Sequence, residues 1–233
     1  MRAVTLTLIP QNIVLTLCLF YYSFWTGFSG TALFESLVYS GFNFFLGLPI
    51  VGVGIFDRDV PQEVLLARPQ IYGTARHNAA FTPRTMARWV FEAFIHSAAV
   101  FIIPTGMQWA SGGCWGANGD CGGLMYFGLV VYTSLIMAMH TTAARITKTW
   151  TAISHALLWA SVAGFFTFVR VYSSLLFSQE LFGVGAHVFG AILTYIVVAL
   201  VASLVVLGDT CMRLVAFSCR VRCLMGDAQM VEG

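Results

Sequence analysis

Long apolar stretches separated by short polar ones dominate the pattern along the chain. Residues 3–34, 36–56, 93–119, 121–144, 149–169 and 181–208 contain no Asp, Glu, Lys or Arg. Each stretch is long enough for a helix that crosses a bilayer core, which needs roughly 20 residues for about 30 Å. Because every backbone polar group in lipid needs an internal partner, single spans of this length must be helices. The pattern predicts six transmembrane helices, near residues 12–28, 36–56, 89–109, 124–144, 150–172 and 183–208.

Composition strengthens this interpretation. Of the 233 residues, 58% are hydrophobic and 9% are charged, whereas soluble domains carry roughly 25% charged residues. A soluble fold could not cover its surface with so few charges. The predicted fold class is therefore an all-α membrane protein, and the net charge of +2 gives no reason to expect a nucleic-acid partner.

The basic residues predict the orientation in the membrane. Six spans place both termini on one side, and every Lys and Arg except Arg170 falls on that side. Cytosolic loops are enriched in Lys and Arg, so we predict that both termini are cytosolic. The predicted organisation is a six-helix membrane domain at 12–208 with a cytosolic loop at 57–87, followed by a basic cytosolic tail at 209–233.

Few residues suggest chemistry. Cys114 and Cys121 lie in a glycine-rich loop that this orientation places outside the cytosol, where a disulfide is permitted. No His/Cys cluster has zinc spacing, and no phosphate-binding glycine motif or kinase motif occurs. The loop 57–87, at about 30 residues, is too small for a catalytic domain with its own core. We assign no catalytic residue and no metal ligand.

A charged stripe lies at the start of the third predicted helix. Arg88, Glu92 and His96 recur every four residues and so share one helical face. An acid and a histidine inside a membrane can form a proton relay. The alternative is an interfacial pair in which Arg88 extends toward water and binds Glu92. The sequence leaves both interpretations open.

An ordered set of motifs in the first part of the chain matches a known family. Asn12 is followed by Gly27-Phe28-Ser29-Gly30, and the next stretch contains Phe42-Asn43, Gly47-Leu48-Pro49, Gly54 and Asp57-Arg58-Asp59-Val60. Further on come Pro69 to Tyr72, His96-Ser97, Trp150-Thr151, Ser154-His155 and Trp159-Ala160-Ser161. From Asn12 onward the chain resembles the C-terminal membrane half, the fifth to tenth transmembrane helices, of the type IV P-type ATPases, the phospholipid flippases.

That resemblance implies a function and a location. The family moves a phospholipid from the exoplasmic to the cytosolic leaflet, driven by ATP through a transient aspartyl-phosphate. It implies ATP and Mg²⁺ for the full-length proteins, a phospholipid substrate, and a glycosylated accessory subunit as partner. It also implies a multi-pass protein of the plasma membrane, the Golgi or endosomes.

The resemblance also assigns four candidate residues. Asn12 and Asn43 match polar positions near the path of the lipid headgroup, although a helix–helix hydrogen bond is the alternative for each. Asp57 and Asp59 match positions near the membrane face of the phosphorylation domain, where a coupling role is a hypothesis. Solvated charges at a helix end are the alternative for these two.

The departures from the family limit what the chain is expected to do alone. The printed residues contain no Asp-Lys-Thr-Gly-Thr motif. Carboxylate nucleophilic catalysis needs that Asp, and phosphoryl transfer needs the associated Mg²⁺ site. The chain alone is therefore not expected to hydrolyse ATP, and its status as an enzyme stays open.

The N-terminus also departs from the family. Gln11 stands where the family has Lys, and residues 1–11 do not resemble it. We predict that this segment reflects a gene-model boundary in a truncated sequence. The alternative to a flippase portion is a stand-alone non-catalytic six-helix protein, a degenerate flippase or a regulator. An unrelated transporter is less favoured, because the two halves show no inverted repeat.

Overall fold

The computed structural model describes residues 2–56, 62–67, 82–114, 122–176, 178 and 180–231. These residues form α-helices joined by turns, with no β-strand among them. The long helices are α1 (Arg2–Trp25), α3 (Phe42–Phe56), α5 (Pro83–Ala110), α6 (Leu124–Ile146), α7 (Ala152–Tyr172) and α9 (Ile192–Val231). The short ones are α2 (Ser36–Ser40), α4 (Gln62–Ala67) and α8 (Val184–Gly190).

Four helices in the described part of the chain are long and apolar enough to cross a membrane. The spans are Thr85–Ala110 in α5, Leu124–Ile146, Ala152–Tyr172, and Ile192–Val215 in α9. The all-α prediction is confirmed for the described residues. The count of six spans and the cytosolic position of both termini stay predictions.

Helix α6 lies at the centre of the bundle. It contacts α1, α3, α5, α7, α8 and α9. Every residue from 128 to 136 is buried, including polar Thr133 and Ser134. A helix that is apolar on all sides is expected to be surrounded by other helices or lipid. The predicted boundaries for this helix, 124–144, agree with the structure to within two residues at its C-terminal end.

The Gly-Phe-Ser-Gly motif ends α1. Gly27 has a left-handed φ of 59°, and Phe28 N donates to Ser23 O over 2.8 Å. This is the Schellman pattern, in which a glycine beyond the helix end lets the chain reverse and satisfies a terminal carbonyl. The turn leads to Glu35, whose carboxylate accepts hydrogen bonds from Leu37 N and Val38 N at the start of α2.

Two helices that the sequence predicts as continuous are broken. The predicted helix 36–56 divides at Gly41 into α2 and α3, and the predicted helix 183–208 divides at Ala191 into α8 and α9. Ala191 has extended backbone angles, and Gly190 precedes it. Glycine weakens helices by roughly 1 kcal/mol relative to alanine. Helix α9 then continues beyond 208 to Val231.

One glycine explains how residues 26–35, the turn between α1 and α2, pack against α6. A Cβ atom added to Gly128 would overlap the main-chain carbonyl of Leu33. Only glycine permits so close an approach of two backbones. Leu33 and Phe34 are thereby buried against the middle of the bundle, and α2 and α3 begin beside α6.

Candidate functional site

The two predicted lipid-path residues lie on helices that pack together. Asn12 lies on α1 and Asn43 in the first turn of α3, and these helices contact one another. Both side chains are exposed. The main-chain oxygen of Asn12 also accepts from Thr16 Oγ1 over 2.8 Å. Both residues are thus on the surface of the described bundle, and their role stays a prediction.

Of the other predicted residues, the structure describes only Cys114. Asp57 and Asp59 lie outside the described residues. Cys114 is disulfide-bonded, whereas Cys121 lies outside the described residues. The Cys114–Cys121 pairing therefore stays a prediction.

A proline in the middle of α3 creates a buried polar group. Pro49 has no N–H, so the carbonyl of Phe45, four residues earlier, loses its helical partner. Both residues are buried, and an unpaired buried carbonyl is costly. The hydroxyl of Ser161 on α7 donates to this carbonyl. The hydrogen bond that Pro49 removes within α3 is therefore replaced by one from a neighbouring helix.

A second side chain donates a hydrogen bond to a main-chain carbonyl at the end of α2. Tyr132 on α6 is fully buried, and its hydroxyl donates to the carbonyl of Val38 over 2.6 Å. Val38 lies in the last turn of α2, and its carbonyl also accepts from Gly41 N over 3.1 Å, so Tyr132 is its second donor. We call the bonds Tyr132–Val38 and Ser161–Phe45 the α2–α3 bracket. In both bonds the acceptor is a main-chain oxygen, at the end of α2 for Val38 and four residues before Pro49 for Phe45.

Ser161 has a further partner on α6. His140 Nε2 lies 2.9 Å from Ser161 Oγ, and His140 Nδ1 donates to the carbonyl of Ile136 over 2.8 Å. Both side chains are buried. The result is a continuous polar chain from α6 through α7 to α3.

A charged cluster ties three other helices together. Asp209 on α9 accepts from His96 Nε2 on α5 over 2.8 Å, and its second oxygen accepts from Arg145 at the end of α6. Asp209 is 9% exposed and His96 5% exposed. Arg213, one helical turn further along α9, adds positive charge nearby. We call His96, Arg145 and Asp209 the inner cluster.

The charged stripe on α5 divides between two environments. Arg88 Nε donates to Glu92 Oε1 over 2.8 Å, and the Arg88 side chain is 38% exposed. His96 instead binds Asp209. The pairing of Arg88 with Glu92 favours the interfacial interpretation over a relay through all three residues.

Gln11, the position at which the family has Lys, is buried in α1. It is 3% exposed, and its side-chain nitrogen has no hydrogen-bond partner among the described residues. The departure noted from the sequence thus falls on a buried polar position rather than on the surface.

Metal coordination is not supported by the described side chains. Among them, no group of three or more His, Cys, Asp or Glu residues could hold a metal ion. No step of ATP hydrolysis is assigned to them.

Sequence reasoning missed His140, Tyr132 and Asp209. Pro49 did signal an unpaired Phe45 carbonyl, but nothing local identified Ser161, 116 residues away, as its donor. A histidine inside a charge-free window was the available signal for His140. For Asp209, the signal was an acid that directly follows a long apolar run.

The fold and these buried polar bonds define a helical membrane protein. In it, the carbonyl freed by Pro49 in α3 is bound by a side chain of α7. The sequence model of the phospholipid-translocating P-type ATPase C-terminal region matches residues 1–221. The chain therefore belongs to this family. The boundary that we predict after residue 11 is not decided by that match.

Several named proteins are similar to the chain. It is 28% identical over 166 residues to probable phospholipid-transporting ATPase 5 of Arabidopsis thaliana, which covers 71% of the chain and 13% of that protein. Identity is 30% over 186 residues to phospholipid-transporting ATPase DRS2 of Saccharomyces cerevisiae, covering 78% and 14%. Phospholipid-transporting ATPase FetA of Mus musculus is 29% identical over 157 residues, covering 67% and 13%. The chain thus matches only about one seventh of the length of these relatives.

Proposed function

We propose that the chain forms membrane-embedded structure of an ATP-driven phospholipid translocase that moves lipid from the exoplasmic to the cytosolic leaflet. The observation that carries this proposal is the helical hydrogen bond missing at Pro49 within α3, whose freed Phe45 carbonyl binds Ser161, in a chain of this family. Helices interrupted at membrane depth are typical of transport proteins, where neighbouring groups satisfy the freed backbone.

The proposal includes a topology and a division of labour. The chain crosses the membrane six times, with both termini in the cytosol. ATP and Mg²⁺ act outside residues 1–233, because these residues contain no Asp-Lys-Thr-Gly-Thr motif. Asp57 and Asp59 couple that chemistry to α3, and a glycosylated accessory subunit assists in the plasma membrane, the Golgi or endosomes.

The proposal also assigns the lipid path to exposed polar positions. Asn12 and Asn43 are exposed on the packed helices α1 and α3, where a headgroup can exchange hydrogen bonds with amides more easily than with aliphatic side chains. The surrounding side chains Phe44 and Leu48 are also exposed. A polar amide among exposed apolar groups is the arrangement expected for a lipid headgroup contact.

A transport assay tests the proposal. The longest protein that contains this chain is purified from its source cells and reconstituted in phosphatidylcholine vesicles with fluorescent phosphatidylserine, phosphatidylethanolamine or phosphatidylcholine. We expect ATP-dependent movement of at least one of these lipids between leaflets. Asn43→Ala should reduce the rate, whereas Thr16→Val, which removes an exposed hydroxyl bonded within its own helix, should not. Absence of ATP-dependent movement for all three lipids would contradict the proposal.

A simpler measurement separates the alternative of a stand-alone non-catalytic protein. A blot with an antibody against residues 209–233 reports the mass of the natural protein. A band above about 100 kDa supports a multidomain translocase. A sole band near 25.5 kDa supports a short protein that is a degenerate flippase or a regulator.

A further inference from the structure

The polar chain through Ser161 contains more acceptors than donors. The carbonyl of Ile136 accepts only, so His140 Nδ1, which lies 2.8 Å from it, must carry a hydrogen. A neutral imidazole has one N–H, so Nε2 then presents a lone pair to Ser161 Oγ at 2.9 Å. The carbonyl of Phe45 presents another lone pair to the same hydroxyl.

The Ser161 hydroxyl has a single proton for these two acceptors. It cannot donate to His140 Nε2 and to Phe45 O at the same time. When it binds Phe45 O, the carbonyl freed by Pro49 is satisfied and Nε2 is left without a donor. When it binds Nε2, the imidazole is satisfied and the Phe45 carbonyl is left open.

An imidazolium would remove the competition, because Nε2 would then donate to Ser161. A buried cation needs a compensating anion, however. The hydrogen-bond partners of this imidazole are the Ile136 carbonyl and the Ser161 hydroxyl, and neither is an anion. No charged side chain in the described part of α3, α6 or α7 is paired with it; the charged groups of the inner cluster bind one another instead.

We propose that His140 is a positioning residue that competes with the Phe45 carbonyl for the Ser161 hydroxyl and so makes the Ser161–Phe45 bond releasable. The two states differ by the exchange of one hydrogen bond for a similar one, without a change in charge. The Phe45 carbonyl of α3 is bound to α7 through Ser161 in one state and unbound in the other. The use of this exchange during lipid transport rests on the proposed function, whereas the exchange itself does not.

The Phe45 carbonyl can be observed directly. Phe45-Leu46 is the sole Phe-Leu dipeptide in the 233-residue chain, so ¹³C-carbonyl phenylalanine with ¹⁵N-leucine isolates this carbonyl in an NMR spectrum of the full chain in lipid nanodiscs. In the wild type we expect a carbonyl shift between those of the bonded and the free forms. His140→Phe removes the competitor and should move the shift toward the bonded value. Ser161→Ala removes the donor and should move it in the opposite direction.

The controls separate competition from simple damage. His140→Phe with Ser161→Ala should match Ser161→Ala alone, because the histidine acts through the serine. Thr142→Val on the same helix α6 removes a hydroxyl that binds its own helix at Ala138, and should leave the shift unchanged. A shift of His140→Phe in the same direction as Ser161→Ala, or no shift at all, would overturn the proposal.

A second measurement needs no variant. The His140 ring is identified through Met139-His140, the sole Met-His dipeptide in the chain, with ¹⁵N-labelled histidine. We expect a neutral ring with its hydrogen on Nδ1. A hydrogen on Nε2 alone, or on both nitrogens, would refute the competition. Neither spectrum depends on lipid transport, so this inference and the proposed function can fail separately.

Discussion

The α2–α3 bracket and the inner cluster solve opposite problems in the same bundle. In the bracket, neutral hydroxyls bind two main-chain carbonyls: that of Val38 at the end of α2, and that of Phe45, which Pro49 deprives of its helical donor. In the inner cluster, Asp209 receives one donor on each carboxylate oxygen, from His96 and from Arg145, and three helices without a break at these residues are joined. The bracket thus compensates for an irregular backbone, whereas the inner cluster joins regular helices through side-chain charge.

The two sets of bonds differ in the free energy needed to exchange or break them. Each bracket bond is a neutral hydrogen bond with a net value of about 1 kcal/mol, so one can be exchanged for another at small cost. An ion pair that is buried and broken leaves an uncompensated charge, which costs about 3–5 kcal/mol. We expect the inner cluster to be a fixed joint between α5, α6 and α9. The neutral Ser161–Phe45 bond is the more readily exchanged contact of the two.

The largest effect is expected from Asp209→Asn. The substitution keeps the side-chain shape but removes the charge that neutralises Arg145, which is partly buried. We expect a loss of about 3 kcal/mol in the free energy of unfolding, at the lower end of the range for a broken buried pair because Arg145 keeps some access to solvent. The thermal midpoint of the chain in detergent, followed by tryptophan fluorescence, measures it.

Two further variants make that test specific. Glu180→Gln makes the same chemical change at an exposed acid and should leave the midpoint almost unchanged. Arg145→Met combined with Asp209→Asn should recover most of the lost stability, because it removes the charge that Asp209→Asn leaves without a counter-charge. A double variant that is no more stable than Asp209→Asn would show that the charge of Arg145 is not the cause.

The next effect concerns the outer end of the bracket. Gly128→Ala places a methyl group against the Leu33 carbonyl and should push the turn between α1 and α2 away from α6. We expect a loss of about 1–3 kcal/mol, the usual cost of overpacking. Gly164→Ala on α7, where an added Cβ meets nothing within 4 Å, should be neutral or slightly stabilising. Equal thermal midpoints for the two variants would contradict the close approach of the turn.

Much of the helical framework was predictable from the spacing of charges. The predicted 150–172 and 124–144 agree closely with α7 and α6, because polar residues flank each apolar window. The breaks at Gly41 and Ala191 were not predicted. An apolar window reports length and hydrophobicity only, whereas a break depends on donors that other helices supply. At Val38 the donor is Tyr132, which lies 94 residues away along the chain.

The site was less predictable than the helices. Pro49 indicated where an unpaired carbonyl would lie, and the resemblance placed Ser161 inside a motif, but neither showed that the two meet. Asp209 directly follows the last charge-free window, yet it is buried and paired with two helices. Pairings of this kind depend on how helices rotate against one another. That rotation is set by packing of the whole bundle rather than by local sequence.

A smaller effect is expected from Tyr132→Phe, which removes one bracket bond and leaves the ring in place. The Val38 carbonyl keeps a second donor, Gly41 N at 3.1 Å, so it is not left unpaired. We expect a loss of about 0.5–1.5 kcal/mol in the free energy of unfolding. Tyr195→Phe, which removes an exposed hydroxyl bonded to Phe189 O, is the matched control. A loss above that range would indicate that Gly41 cannot hold the carbonyl alone.

The smallest effect is expected from Arg88→Gln, and it sharpens the contrast between exposed and buried charge. Arg88 and Glu92 are an i,i+4 pair with a half-exposed arginine, and such pairs contribute about 0.3–0.5 kcal/mol. Salt should weaken even that contribution, since the Debye length falls from about 30 Å at 0.01 M to about 3 Å at 1 M. Thermal midpoints of wild type and variant, compared at low and high salt, should therefore converge as salt rises. A variant that loses as much stability as Asp209→Asn would show that Arg88 acts with the inner cluster. In that case α5 would carry one connected charge network from Arg88 to His96 rather than a surface pair beside a buried joint.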